Sequence, residues 1–156
     1  MTARNDILRL MSQYCFTIDT GDMEAWAQLF EHGEWGLEGG TIFVGKAAVL
    51  KATENVRVYS DGTPRTKHTT SNIDLEIDEG SGKARSQCYV TVFQQADEFP
   101  LQPIFSGHYF DEFEIIQGVW RFKKRLIRYP LVGDMSAHLA SPAVILPDES
   151  QIESDA

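Results

Sequence analysis

Long apolar runs are missing from this chain. No stretch approaches the ~18 consecutive apolar residues of a membrane span, and the opening Met1-Thr-Ala-Arg-Asn-Asp6 holds no hydrophobic signal core, so a soluble, cytoplasmic protein is expected. Positive charge is scarce as well: 14 Lys and Arg stand against 23 Asp and Glu, a net of −9. That balance argues against nucleic acid or an anionic membrane as partner. Only two cysteines occur, Cys15 and Cys88, both within apolar patterns where a free buried thiol is the expected state. Gly-rich phosphate loops, paired CxxC, HExxH and GxSxG are all lacking. The four histidines, His32, His68, His108 and His138, are too far apart for a local metal pair, so neither a metal nor another cofactor is expected.

What is present suits one compact domain. With 156 residues, 42% of them hydrophobic, the chain is long enough to enclose a cavity within its core. Ile7, Leu10, Met11, Tyr14, Cys15 and Ile18 recur at helical spacing, with Thr2 or Asn5 as cap, and this helix should end near Asp19-Thr20-Gly21. Asp22 then caps a short second helix burying Met23, Trp26, Leu29 and Phe30. Glu34–Glu38 and Thr41–Val44, joined by Gly39-Gly40, predict a small β-hairpin, and a third helix is expected over Lys46–Tyr59. Beyond Ser60-Asp-Gly-Thr-Pro64 the period becomes two, with strands expected at 66–77, 83–95, 103–116 and 118–129. Helices first and antiparallel strands afterwards predict an α+β fold, a curved sheet wrapped around the helices, over residues 1–130. Residues 131–147, with Leu139, Val144, Ile145 and Leu146, should cover apolar surface, and 148–156 form an acidic tail expected to be disordered.

Few residues suggest chemistry. Asp19 sits at a helix C-terminus, where a carboxylate opposes the macrodipole and its proton affinity should rise. It is either a solvated turn acid or a carboxylate orienting a base. His68, in Lys67-His-Thr-Thr-Ser-Asn72, should share a face with Thr70 and Asn72, opposite Ile73, Leu75 and Ile77, facing a wet pocket or solvent. A histidine held by a carboxylate can act as a base near neutral pH. Tyr14 lies on the helical core face with a hydroxyl in need of a partner. In the last strand Trp120, Phe122, Leu126 and Arg128 share the inward parity, Arg128 as a rim cation or a strand-end ion pair. Arg121, Lys123 and Arg125 read as a solvated stripe.

Three segments together carry a family resemblance: Tyr14-Cys-Phe-Thr-Ile-Asp19-Thr-Gly-Asp22-Met-Glu-Ala-Trp26-Ala-Gln-Leu-Phe30, Lys67-His68-Thr-Thr-Ser-Asn72 and Gly118-Val-Trp120-Arg-Phe122. They resemble the SnoaL-like group of the nuclear-transport-factor-2-like superfamily, which includes scytalone dehydratase, hexachlorocyclohexane dehydrochlorinase, bile-acid dehydratase and, more distantly, ketosteroid isomerase. The resemblance implies a cone-shaped α+β barrel with a deep apolar pocket. It also implies that His68 takes a proton from carbon while Asp19 steadies the imidazolium. The expected activity is a cofactor-independent lyase, of the dehydratase type, acting on a small hydrophobic ring-containing molecule. Tyr14 would donate a hydrogen bond, and Trp26, Trp35, Phe105 and Tyr109 would shape the pocket. Scytalone dehydratase carries a second histidine on the following strand, where this chain offers only the Tyr89–Phe93 region, so scytalone itself is not the expected substrate. Two alternatives stay open: a ketone isomerase or polyketide cyclase with Glu38 or Asp19 as base, and a non-catalytic small-molecule binder or dioxygenase-β-like subunit. Tyr89, Val90, Val92 and Phe110 are expected to join copies through the convex sheet as a homodimer or trimer.

Overall fold

Residues 1–141 are described by the computed structural model. Val144, Ile145, Leu146 and the acidic tail lie outside the described residues. Helix α1 spans Ala3–Asp19; its N-cap is Thr2, whose hydroxyl accepts from Asn5 N. Ile7, Met11, Tyr14, Cys15 and Ile18 form its buried stripe. At its end Gly21 adopts φ +80°, and a Cβ there would meet Gly62 O at 2.0 Å, so only glycine fits. Asp22 caps α2 (Met23–Gln28) by accepting from Ala25 N. Strands β1 (Glu34–Leu37) and β2 (Ile42–Val44) form the small hairpin. Helix α3 is shorter than its apolar pattern predicts: it runs Gly45–Ala52, tightens into a 3₁₀ turn at Thr53–Asn55, and extends at Val56, which bridges Leu139.

Four long strands follow, β3 (Thr66–Asp78), β4 (Lys83–Ala96), β5 (Phe99–Ile116) and β6 (Val119–Val132). The six strands form one sheet in the order β2-β1-β6-β5-β4-β3, antiparallel except for β1 beside β6. The fold is α+β, with α1 packed against β3 and β6 on the inner face of the curled sheet.

Irregular register decides which side chains face inward, because one extra residue flips the parity of everything beyond it. Partners jump from Phe113↔Phe122 to Glu112↔Lys124, making Lys123 the extra residue of β6. Trp120 and Phe122 are inward as expected, but beyond the bulge the inward set becomes Arg125 and Ile127. Arg125, expected in solvent, is completely buried, whereas Leu126 and Arg128, expected inside, turn outward. A similar shift in β3 lies between Ser71 and Asp74, with Asn72 at φ +55°. His68 and the apolar pair Leu75 and Ile77 therefore contact the same core rather than lying on opposite faces. On β4, Val90 and Val92 belong to the interior, which removes them from the convex surface; Tyr89 remains half exposed there.

Candidate active site

The inner face of the sheet, α1, α2, the β1–β2 hairpin, the turn after α3 and the segment after β6 line a partly open cavity of about 170 Å³. Its walls include Tyr14, Trp26, Trp35, Phe105 and Tyr109, all expected from the sequence, together with His68. Trp35 Nε1 donates to Tyr14 Oη at 3.0 Å, which leaves the phenolic proton free to donate. Burial pushes the Tyr14 phenol up despite the opposing pull of Arg125. That hydroxyl is a donor, not a base, at neutral pH.

Asp19 stands behind His68 rather than in the cavity wall. As the last residue of α1, beside the first residues of β3, its carboxylate accepts three hydrogen bonds from that strand. His68 Nδ1 lies 2.6 Å from Oδ1, Thr66 Oγ1 donates to Oδ1 at 2.8 Å, and the His68 backbone N–H donates to Oδ2 at 2.7 Å. Both side chains are nearly buried, with 9% of His68 and 8% of Asp19 accessible. Burial raises the Asp19 pKa, but the hydrogen bonds and charge supplied by His68, with Thr66, outweigh it. The carboxyl is held below its usual range, opposite to the rise expected from the helix end alone. An ionised Asp19 fixes the proton of neutral His68 on Nδ1 and leaves the lone pair on Nε2. Nε2 is then the basic atom available to a molecule in the cavity.

Beneath the two tyrosines lies a second buried pair. Arg125 Nε and Nη2 donate to the two oxygens of Asp111 at 2.8 and 2.7 Å, and neither side chain is accessible. The guanidinium carbon sits 4.3 Å from the Tyr14 ring centre and 4.0 Å from that of Tyr109. Although burial disfavours its charge, Asp111 keeps the Arg125 pKa raised. A fixed ion pair, its guanidinium end against the two tyrosine rings, thus underlies this side of the cavity.

Two expected binding residues are elsewhere. Arg128 Nε is 2.8 Å from Glu38 Oε2, and its guanidinium lies over Phe110 on the outer face of the sheet. Neither Arg128 nor Glu38 lines the cavity, because the Lys123 bulge turns Arg128 outward and Glu38 follows it. The sequence reading missed Thr66, Arg125, Asp111, Met135 and His138. Asp111 had a signal: it shares the inward parity of Tyr109 and Phe113, and a buried acid demands a buried base. The free thiols are not poised nucleophiles, since burial pushes Cys15 up to about 11 and Cys88 to about 12. Among the described residues no group of three His, Cys, Asp or Glu is arranged to hold a metal ion, and no helix is long and apolar enough to cross a membrane.

The family model for the SnoaL-like domain matches residues 1–126. The chain belongs to the SnoaL-like family. A search of curated protein sequences gives no match. Among solved structures, this SnoaL-like protein is similar to a type 2 hexachlorocyclohexane dehydrochlorinase, LinA, with 26% identity over 91% of this chain and 95% of that one and a TM-score of 0.65. A candidate scytalone dehydratase from Novosphingobium aromaticivorans shares 25% identity over 84% of this chain and 87% of its own, with a TM-score of 0.66. An NTF2-like protein with a cystatin-like fold from the same organism, 20% identical over 90% and 85% with a TM-score of 0.66, agrees in fold.

Proposed function

We propose that this protein is a cofactor-independent lyase that carries out a dehydratase-type β-elimination on a small hydrophobic ring-containing substrate. The observation carrying the proposal is the contact of His68 with a triply hydrogen-bonded Asp19, at the wall of an apolar cavity. Family membership and the likeness to a dehydrochlorinase support an enzyme that converts a small molecule. In the proposed step His68 Nε2 removes a proton from carbon next to a carbonyl. The C–H electron pair becomes the new C=C bond, and the group on the β carbon departs with its bonding pair, as water once protonated if it is hydroxide. Asp19 stabilises the imidazolium so formed, and the Tyr14 hydroxyl donates to the carbonyl or the leaving group. A general base of this kind contributes roughly 10²–10⁴-fold.

The isomerase alternative with Glu38 as base loses its support, since Glu38 faces Arg128 outside the cavity. The convex face still carries Tyr89, His108, Phe110 and Tyr129, linked by ring contacts through His108 and Phe110, which supports association of copies through the sheet. The test of function is incubation with a panel of cyclic β-hydroxyketones, read by mass spectrometry for loss of one water. The wild-type protein should form an enone that His68→Gln forms at least about 10²-fold more slowly. Equal rates in the two proteins, or no elimination across the panel, would contradict the proposal.

A further inference from the structure

The segment after β6 brings a second histidine to the cavity. Residues 135–141 are clamped from several directions. Arg57 N donates to His138 O at 2.8 Å, Arg57 Nε to Ser136 O at 3.0 Å, and Gln94 Nε2 to Ala137 O at 2.9 Å; Asn55 bonds Ser141 through both ends of its amide. The imidazole of His138 is thereby fixed in the cavity wall, 8% exposed, beside Met135 and Leu139. Among the described residues its Nδ1 has no hydrogen-bond partner, although buried polar atoms are normally paired. Trp26, whose ring also lines the cavity, has a second buried nitrogen, Nε1, without a partner among the described residues. Both nitrogens are sealed within side chains that line the cavity, so no partner on Nδ1 fixes the His138 tautomer, and its Nε2 is the ring nitrogen left to donate to or accept from a molecule in the cavity.

We propose that His138 contacts the ligand directly, hydrogen-bonding a hydroxyl or carbonyl oxygen and so selecting oxygen-bearing rings over hydrocarbons of the same shape. Burial, reinforced by nearby His68, lowers the His138 pKa to about 4, so the ring stays neutral. A neutral imidazole offers one donor and one acceptor, so it serves either a carbonyl or a hydroxyl. The division of labour with His68 follows from their partners. His68 has a carboxylate to stabilise its cation, whereas His138 has none in contact and cannot accept a proton cheaply beside a charged His68. The inference rests on the proposed function only in taking this cavity as the ligand site.

An apolar cavity of about 150 Å³ admits benzene, so p-cresol and toluene are suitable probes, one with an oxygen and one without. Calorimetric titration of the full chain should show that His138→Leu lowers the affinity for p-cresol relative to toluene by about tenfold. His138→Gln, which keeps a donor and an acceptor, should stay within about threefold of wild type. In the wild-type protein p-cresol should move the ring ¹⁵N resonances of His138 and toluene should not, a readout that needs no variant to fold. An unchanged affinity ratio in His138→Leu, or His138 resonances indifferent to bound p-cresol, overturns the role of His138 and leaves the elimination chemistry of His68 standing. If neither probe binds, this inference and the cavity's assignment as ligand site fall together.

Discussion

Among the described residues two carboxylates are buried against a basic side chain, and the two pairs differ in what their surroundings let them do. Asp111 and Arg125 are sealed from solvent in a bidentate contact, with aromatic rings over the guanidinium. Arg125 cannot lose its proton under any ordinary condition, so the pair is a permanent dipole fixed in the core. Asp19 and His68 are almost as buried, but the cation is optional and one ring nitrogen is left for the cavity. Similar chemistry is thus a structural fixture in one place and, in the function proposed here, a proton relay in the other. The deciding factors are whether the basic member is an imidazole or a guanidinium and whether it reaches a cavity.

The largest effect should come from breaking the sealed pair. Asp111→Ala leaves Arg125 charged and unpaired, and denaturant unfolding should show a loss of about 3–5 kcal/mol. Replacing both together, Asp111→Leu with Arg125→Met, should recover most of that loss. Asp19→Asn should cost much less stability than Asp111→Ala while abolishing most turnover. Equal stability losses in Asp19→Asn and Asp111→Ala would erase the distinction between the pairs.

The next effect is pH-dependent. His138 binds a proton less readily folded than unfolded, its pKa falling from 6.5 to about 4. Below its unfolded pKa the unfolded chain gains a proton that the folded chain does not. Stability is therefore complete above about pH 7 and is lost as pH falls from 6.5 toward 4, by on the order of 3 kcal/mol. The depressed pKa of Asp19 acts at lower pH: its contribution is complete above the ordinary carboxylate range and disappears below it. Thermal melts of His138→Gln should be flat between pH 6.5 and 5, where the wild type declines; parallel curves would contradict the burial of a neutral His138.

Legibility from sequence followed the same division. Helix periodicity, caps and the Gly21 turn were readable because they depend on local rules, and α1 and α2 lie where the pattern predicts. Register was not readable: Lys123 and the Ser71–Asp74 region each insert a residue, and no local signal in the sequence marks them as bulges. Those two irregularities bury Arg125, expel Arg128 and place His68 on the same core as Leu75 and Ile77. Residues on helices or directly after a turn, Tyr14, Trp26 and His68, lie at the cavity, with Asp19 behind His68, because local rules place them. His138 was not readable, because a lone histidine in an irregular segment carries no periodicity. Its site depends on anchors as remote as Asn55 and Gln94.

Smaller effects refine the picture. Tyr14→Phe removes the acceptor of Trp35 Nε1 and should cost about 1–2 kcal/mol in denaturant melts, with a smaller loss of turnover than His68→Gln. Arg128→Ala, which breaks a partly exposed contact with Glu38, should change stability by less than about 0.5 kcal/mol and leave turnover unaltered. A strong loss of activity in Arg128→Ala would return that residue to the site.

The central claim is that Asp19 holds His68 with its proton on Nδ1 and its lone pair on Nε2, ready to take a proton from a molecule in the cavity. Long-range ¹H–¹⁵N correlation of the His68 ring in the unliganded protein, in neutral to mildly alkaline buffer, reads that tautomer directly and requires no substrate. The account predicts a protonated Nδ1 and an unprotonated Nε2, a state that Asp19→Ala should abolish. A His68 ring protonated on Nε2, or one whose tautomer is the same in Asp19→Ala, would contradict it.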